Sequence, residues 1–91
     1  MFKVRVELRP EGGWNRIPKE QQYDISKKDE LPYPPQIGII YVFELSNKDL
    51  TEGSIAEVIY YSHDKSTTIV VEVPVHMWKY DEFVKAGWQN D

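Results

Sequence analysis

Cysteine is absent from this 91-residue chain. That excludes disulfides, thiolate metal sites and a thiol nucleophile, and it fits a reducing compartment such as the cytoplasm. Histidine is almost as scarce, at His63 and His76 alone. Neither an HxxxH nor an HExxH spacing links them, so no metal site is expected. The longest apolar run, Ile37 to Phe43, falls far short of the roughly 20 residues that cross a bilayer. Residues 1–9 alternate charged and apolar side chains, and so lack the continuous apolar core of a secretion signal.

The five glycines, Gly12, Gly13, Gly38, Gly53 and Gly87, form neither GxGxxG nor GxxxxGK[ST]. Both familiar nucleotide cradles are therefore missing, and no cofactor is expected. No nucleophile elbow or serine–histidine–carboxylate pattern surrounds either histidine. Positive charge is also in deficit, with 11 Lys and Arg against 15 Asp and Glu, a net charge of −4. The imbalance falls on residues 31–91, whereas residues 1–30 are slightly basic. An acidic chain disfavours nucleic acid as a partner, and no membrane is implicated.

What is present is ordinary for a globular protein: 41% hydrophobic and 29% charged residues, with a rather high aromatic share of 13%. A chain this short builds one core, so residues 1–91 read as one small domain. Phe2, Val4, Val6 and Leu8 alternate with Lys3, Arg5, Glu7 and Arg9, the period of two of a half-buried strand. Pro10-Glu11-Gly12-Gly13 then reverses the chain, and Trp14 to Ile17 is expected to run back along the strand. Residues 18–36 read as a long polar, proline-rich loop that ends in Leu31-Pro32-Tyr33-Pro34-Pro35. A connection of that length either serves a function or hides a short element.

Ile37 to Leu45 is apolar on both faces, which predicts a central strand. Ile55 to Tyr61 and Thr67 to Val73 bracket a polar turn and predict a β-hairpin. Ser54 and Glu57 also match a capping box that would open a helix through Tyr61, but the β-branched and aromatic content favours a strand. Met77, Tyr80, Val84 and Trp88 recur at helical spacing, and Gly87 suits a C-terminal cap, so a helix is predicted within 75–87. The expected fold is α+β: a four- or five-stranded, mostly antiparallel sheet with one C-terminal helix packed on one face.

One-sided cover of that sheet would leave Ile40 and Val42 wet, and such a face calls for a partner. The chain therefore reads as a non-catalytic interaction factor, such as a small inhibitor, an immunity-like protein or a phage-type accessory protein. Its partner protein would meet the exposed sheet face and the proline-rich loop. The residues expected to bind are Tyr33, Tyr60, Tyr61, Trp14, Arg5 and Arg16; no catalytic residue is assigned. An alternative is a small-molecule or nucleotide binder, a homodimer with an aromatic and basic pocket between protomers. A minimal hydrolase using His63 or His76 is the third reading.

Overall fold

A computed structural model describes residues 1–90. The chain forms strands β1 (Phe2–Pro10), β2 (Ile25–Leu31), β3 (Ile40–Glu44), β4 (Leu50–Tyr61), β5 (Ser66–Val73) and β6 (Gln89–Asn90). One short helix, α1 (Tyr80–Lys85), follows β5, and 3₁₀ turns occupy Trp14–Arg16, Lys19–Gln21 and Val75–Met77. All six strands join one sheet in the order β3-β4-β5-β1-β2-β6. The central pair, β1 with β5, is parallel, and every other pairing is antiparallel.

Strand β1 follows from its alternation. Val4, Val6, Leu8 and Pro10 are buried while the residues between them face outward. Register sets Val6 beside Ile69, Leu8 beside Val71 and Pro10 beside Val73, so both strands present one continuous apolar surface inward. Each fully buried aliphatic side chain there contributes roughly 1.5–3 kcal/mol. The predicted hairpin is present as β4 and β5, with Tyr61 opposite Ser66, and residues 54–61 are strand rather than helix.

The expected α+β architecture is overturned: the molecule is a curled, mixed, six-stranded sheet with no helix long enough to form a layer. Helix α1 has six residues, and Phe83 is its one buried side chain. Pro74 is extended at ψ 140°, Trp78 at ψ 112° and Lys79 at φ −139°, so the backbone leaves helical geometry twice before α1 begins. Gly87 ends it at φ +101°. The helical spacing is also out of phase with the packing, since Phe83 and Trp88 point inward whereas Val84 is exposed.

Residues 18–36 are not a continuous loop, because they contain β2. That strand was hidden by its inward-facing positions: Val4 pairs with Asp29 and Val6 with Lys27, so only Ile25 and Leu31 carry an apolar signal. Both polar residues are exposed, and both find partners on that face. The Lys27 ammonium donates to the Ala86 carbonyl at 3.3 Å and lies 6.0 Å from the Trp88 ring centroid, while the Tyr41 hydroxyl donates to Asp29. Strand β2 takes the place expected for Trp14 to Ile17, which instead form a 3₁₀ turn. The apolar run Ile37 to Leu45 yields an edge strand rather than a central one, because β3 has β4 on one side alone.

Curvature comes from β4. Its pairing with β5 slips between Ile55 and Glu57, a bulge at Ala56 that bends the strand and exchanges its faces. Thr51, Gly53 and Ile55 are buried before the bulge; after it Val58 and Tyr60 take the same face but stay exposed. The bend carries β3 round until Tyr41 meets Asp29 of β2, although three strands separate β3 from β2 in the sheet. An aromatic plug fills the space enclosed: Phe43 lies 5.0 Å from Trp88 and 5.8 Å from Phe83, and Trp78 lies 5.3 Å from Phe83.

Gly53 sits where β4 is pressed closest to β5. A methyl group added there would lie 2.4 Å from the Glu72 carbonyl oxygen and 2.6 Å from a Val71 methyl. Gly53→Ala should therefore lower stability by about 1–3 kcal/mol, as overpacking of a closed site does. Urea unfolding of the two proteins measures it, and an unchanged midpoint would show that β4 is free to move away from β5.

Candidate interaction surface

The structure scatters the six residues expected to bind. Arg5 faces outward near the start of β1, beside Glu7 at 3.7 Å. Arg16 lies beyond the other end of that strand with its side chain laid over Gly12. The part of β1 from Arg5 to Pro10 alone spans about 16 Å at 3.3 Å per residue, so the two arginines do not share a patch. Trp14 is half-buried with its ring edge-on to Trp78 at 5.4 Å, where it supports the core.

Tyr33 turns inward against the core, so the proline-rich segment is a strap running from β2 across to β3 rather than a free arm. Tyr60 and Tyr61 are both exposed, on opposite faces of the projecting β4–β5 hairpin. They are not brought together with Trp14 or Arg16. His63 stands in the hairpin turn, 3.7 Å from Asp64, and His76 is exposed in a 3₁₀ turn. Among the described residues, no three of His, Asp and Glu converge as metal ligands would.

The outer surface of the sheet is mostly charged. Arg9 bridges Glu57 at 3.3 Å and Glu72 at 3.2 Å, laying a lattice of long side chains over Val70. The exception is the β3–β4 hairpin, where Ile40 is 51%, Val42 53% and Leu50 67% exposed. Ile37, just before β3, is 71% exposed. Tyr41 and Phe43 occupy the intervening inward positions and take no part in this surface. Ile40 and Val42 thus stay wet because β3 is an edge strand, not because a helix covers one face of the sheet. Val58 and Tyr60 lie on the other face because of the bulge.

Hydrogen bonding on β3 has a definite direction. The Leu45 amide donates to Asp49 in the register that pairs Phe43 with Thr51 and Tyr41 with Gly53. In an antiparallel ladder the bonded positions alternate, so Tyr41, Phe43 and Leu45 spend their backbone groups on β4. The N–H and C=O groups of Ile40, Val42 and Glu44 point away from it, and among the described residues no strand lies on that side. Exposed β3 thus offers three donors and three acceptors beside an apolar strip. Glu44, Asp49 and Glu52 are exposed around it, with Lys48 the one cation in the same turn.

A second feature is a cleft of about 530 Å³ at the start of β1, lined by Lys3, Arg5, Lys28 and Lys65 together with Ser66 and Thr67. Sequence reading found Arg5 there but missed Lys28 and Lys65. Only the β1–β2 register and the hairpin turn bring those two lysines in.

No family model, curated protein or solved structure matches the chain.

Asp29, on the rim of this cleft, also receives the Tyr41 hydroxyl that closes the curl. Burial is the main reason that the Tyr41 phenol is pushed far above its ordinary value; the Asp29 hydrogen bond, the Asp29 charge and neighbouring Tyr33 add to it. The folded chain therefore keeps this proton at a pH where the unfolded chain, with an ordinary value near 10, releases it. The contribution to stability is complete below about pH 10 and is lost as pH rises towards the folded value. At neutral pH, Tyr41→Phe should cost about 1 kcal/mol. Above pH 10 wild type should lose stability faster than the variant, by up to about 1.4 kcal/mol per pH unit, and the gap should narrow. Urea midpoints from pH 8 to 11 measure this, and parallel curves would exclude Tyr41 as the titrating group.

Proposed function

We propose that the chain is a non-catalytic protein-binding module whose partner adds an extended segment to β3. The observation that carries this reading is the outward direction of the Ile40, Val42 and Glu44 backbone groups. An open edge of this kind is a template for another strand, and natural proteins usually blunt such edges with lysine, proline or a covering loop. Here β3 carries neither lysine nor proline, and it presents Ile40 and Val42 beside Leu50 instead. In strand addition the backbone bonds give affinity and alternate side chains give selectivity. The acidic rim of Glu44, Asp49 and Glu52 suits a segment that alternates apolar residues with lysine or arginine.

The proline-rich segment, with Tyr33 packed inward, serves this reading as the strap that holds β3 in place rather than as the contact itself. The conclusion is an interaction factor with one strand-shaped site.

A displayed library of extended ten-residue peptides tests it. Selected binders should alternate β-branched or aromatic residues with basic ones. When they bind, amide exchange should slow at Ile40, Val42 and Glu44 and change little at Tyr41 and Phe43. Val42→Pro removes only an outward N–H, so it should cut affinity by about tenfold, the worth of one net hydrogen bond, while the chain stays folded. Binders that protect amides elsewhere, or that hold Val42→Pro as well as wild type, would sink the reading.

A further inference from the structure

We infer that Asp29 of β2 selects the partner of β3, by pairing with a lysine or arginine on the inward face of the added segment. The inference rests on strand addition at β3 and names a residue that would set its selectivity. An added strand has two faces, because successive side chains alternate. Those that pack on Ile40 and Val42 point outward, so those opposite Tyr41 and Phe43 point inward. The apolar strip of β3 governs the outward positions. What the inward ones meet depends on what lies beyond the edge.

Beyond the edge lies β2. The sheet curls until Tyr41 hydrogen-bonds Asp29, so the open side of β3 turns towards β2, and one tyrosine side chain covers the interval. A segment paired with β3 stands one strand spacing, about 4.8 Å, out on that same side. A lysine side chain is about as long as that of tyrosine, and arginine is longer. From the position opposite Tyr41, either one therefore brings its charge to Asp29.

Asp29 has acceptor capacity to give. It is exposed, and its register with Val4 sets it on the inward face. One carboxylate oxygen takes the Tyr41 hydroxyl and the other takes the Glu30 amide at 2.7 Å. Each ionised oxygen offers about two lone-pair sites, so each keeps one place open. Among the described residues, no lysine or arginine forms an ion pair with it. Lys27, two residues along on the same face, donates instead to the Ala86 carbonyl at 3.3 Å and lies 6.0 Å from the Trp88 ring centroid. Opposite Phe43 the inward position meets that Trp88 ring, 5.0 Å from Phe43. The charge of the segment thus belongs opposite Tyr41, and an apolar residue belongs opposite Phe43.

Two ten-residue peptides test this on the whole chain. Both alternate valine with serine and carry the same polar tail, and one has lysine in place of its central serine. Wild type should bind the lysine peptide about fivefold tighter, the worth of one partly exposed ion pair. Asp29→Asn should remove that preference and leave the affinity for the serine peptide unchanged; the asparagine carbonyl still accepts the Tyr41 hydroxyl, which a retained melting point checks. Tyr41→Phe deletes the same hydrogen bond but leaves the charge, so it should keep the preference. A preference that survives Asp29→Asn would assign the lysine to Glu44 or Glu52 and overturn the inference. Loss of the preference in Tyr41→Phe would also overturn it, by showing that the contact between the flanks matters rather than the charge. Amide exchange separates the two levels of the argument. Slowed exchange at Ile40, Val42 and Glu44 with either peptide upholds strand addition whatever Asp29 does, whereas its absence with both peptides sinks strand addition and this inference with it.

Discussion

The parallel pairing of β1 with β5 is the constraint from which the rest of the molecule follows. Two strands whose paired residues lie 63 positions apart, as Arg9 and Glu72 do, can run side by side only if the intervening chain leaves the pair and returns. Strand β2 pairs back along the outer side of β1, while β4 reaches β5 through a tight hairpin. That leaves β2 and β3, neighbours in sequence, on opposite flanks of the sheet. The connection between them must cross over, and residues 32–39 do so through Pro32, Pro34 and Pro35. Extended proline-rich chain covers about 3.1 Å per residue with little conformational freedom to lose, which suits a strap.

Crossing over is possible because the sheet curls. In a flat sheet the strap would have to span three intervening strands, each about 4.8 Å from the next. The Ala56 bulge and the close approach at Gly53 bend β4 so that β3 folds towards β2. The two flanks then meet through polar chemistry, Tyr41 with Asp29, beside the aromatic cluster of Phe43, Phe83 and Trp88. The surplus of aromatic residues is thus spent largely on filling one curled sheet that has no second layer to pack against. The indole N–H of Trp88 is buried there without a hydrogen-bond partner, one polar group left unsatisfied by so crowded a plug.

The parts that sequence could show are those whose side chains report on a single neighbour. Strand β1 was legible because every second residue from Val4 to Leu8 is apolar, and the β4–β5 hairpin because its two runs flank a short polar turn. Strand β2 was not, since Lys27 and Asp29 point inward and depend on Ala86 and Tyr41, which are remote in sequence. Strand β3 misled for the opposite reason. Ile40 and Val42 are as apolar as core residues, so the run resembled a central strand although one of its faces is wet. Helical spacing near the C-terminus counted Val84 and missed Phe83, because a six-residue helix bounded by extended residues has no sustained face. Arg5 and Tyr61 were visible as candidates one by one. Their surroundings, Lys28, Lys65 and Ser66, depend on register, which no local pattern records.

Charge separates the two surfaces and bears on how copies of the chain meet. The open edge of β3 is rimmed by Glu44, Asp49 and Glu52, while the cleft on the far side of the β1–β5 pair is basic. Two copies could pair their β3 strands antiparallel about Val42, which would satisfy all the outward backbone groups. That arrangement would also bring both copies of Glu52 onto one face, flanking the paired valines, between two molecules that each carry −4. The two carboxylates would stand three strand spacings apart, about 14 Å, where salt screens most of their repulsion. A basic extended segment would meet the same hydrogen bonds and gain attraction from Glu44 and Glu52. On the proposed reading, what favours a basic partner over a second copy at this edge is therefore added attraction rather than self-repulsion.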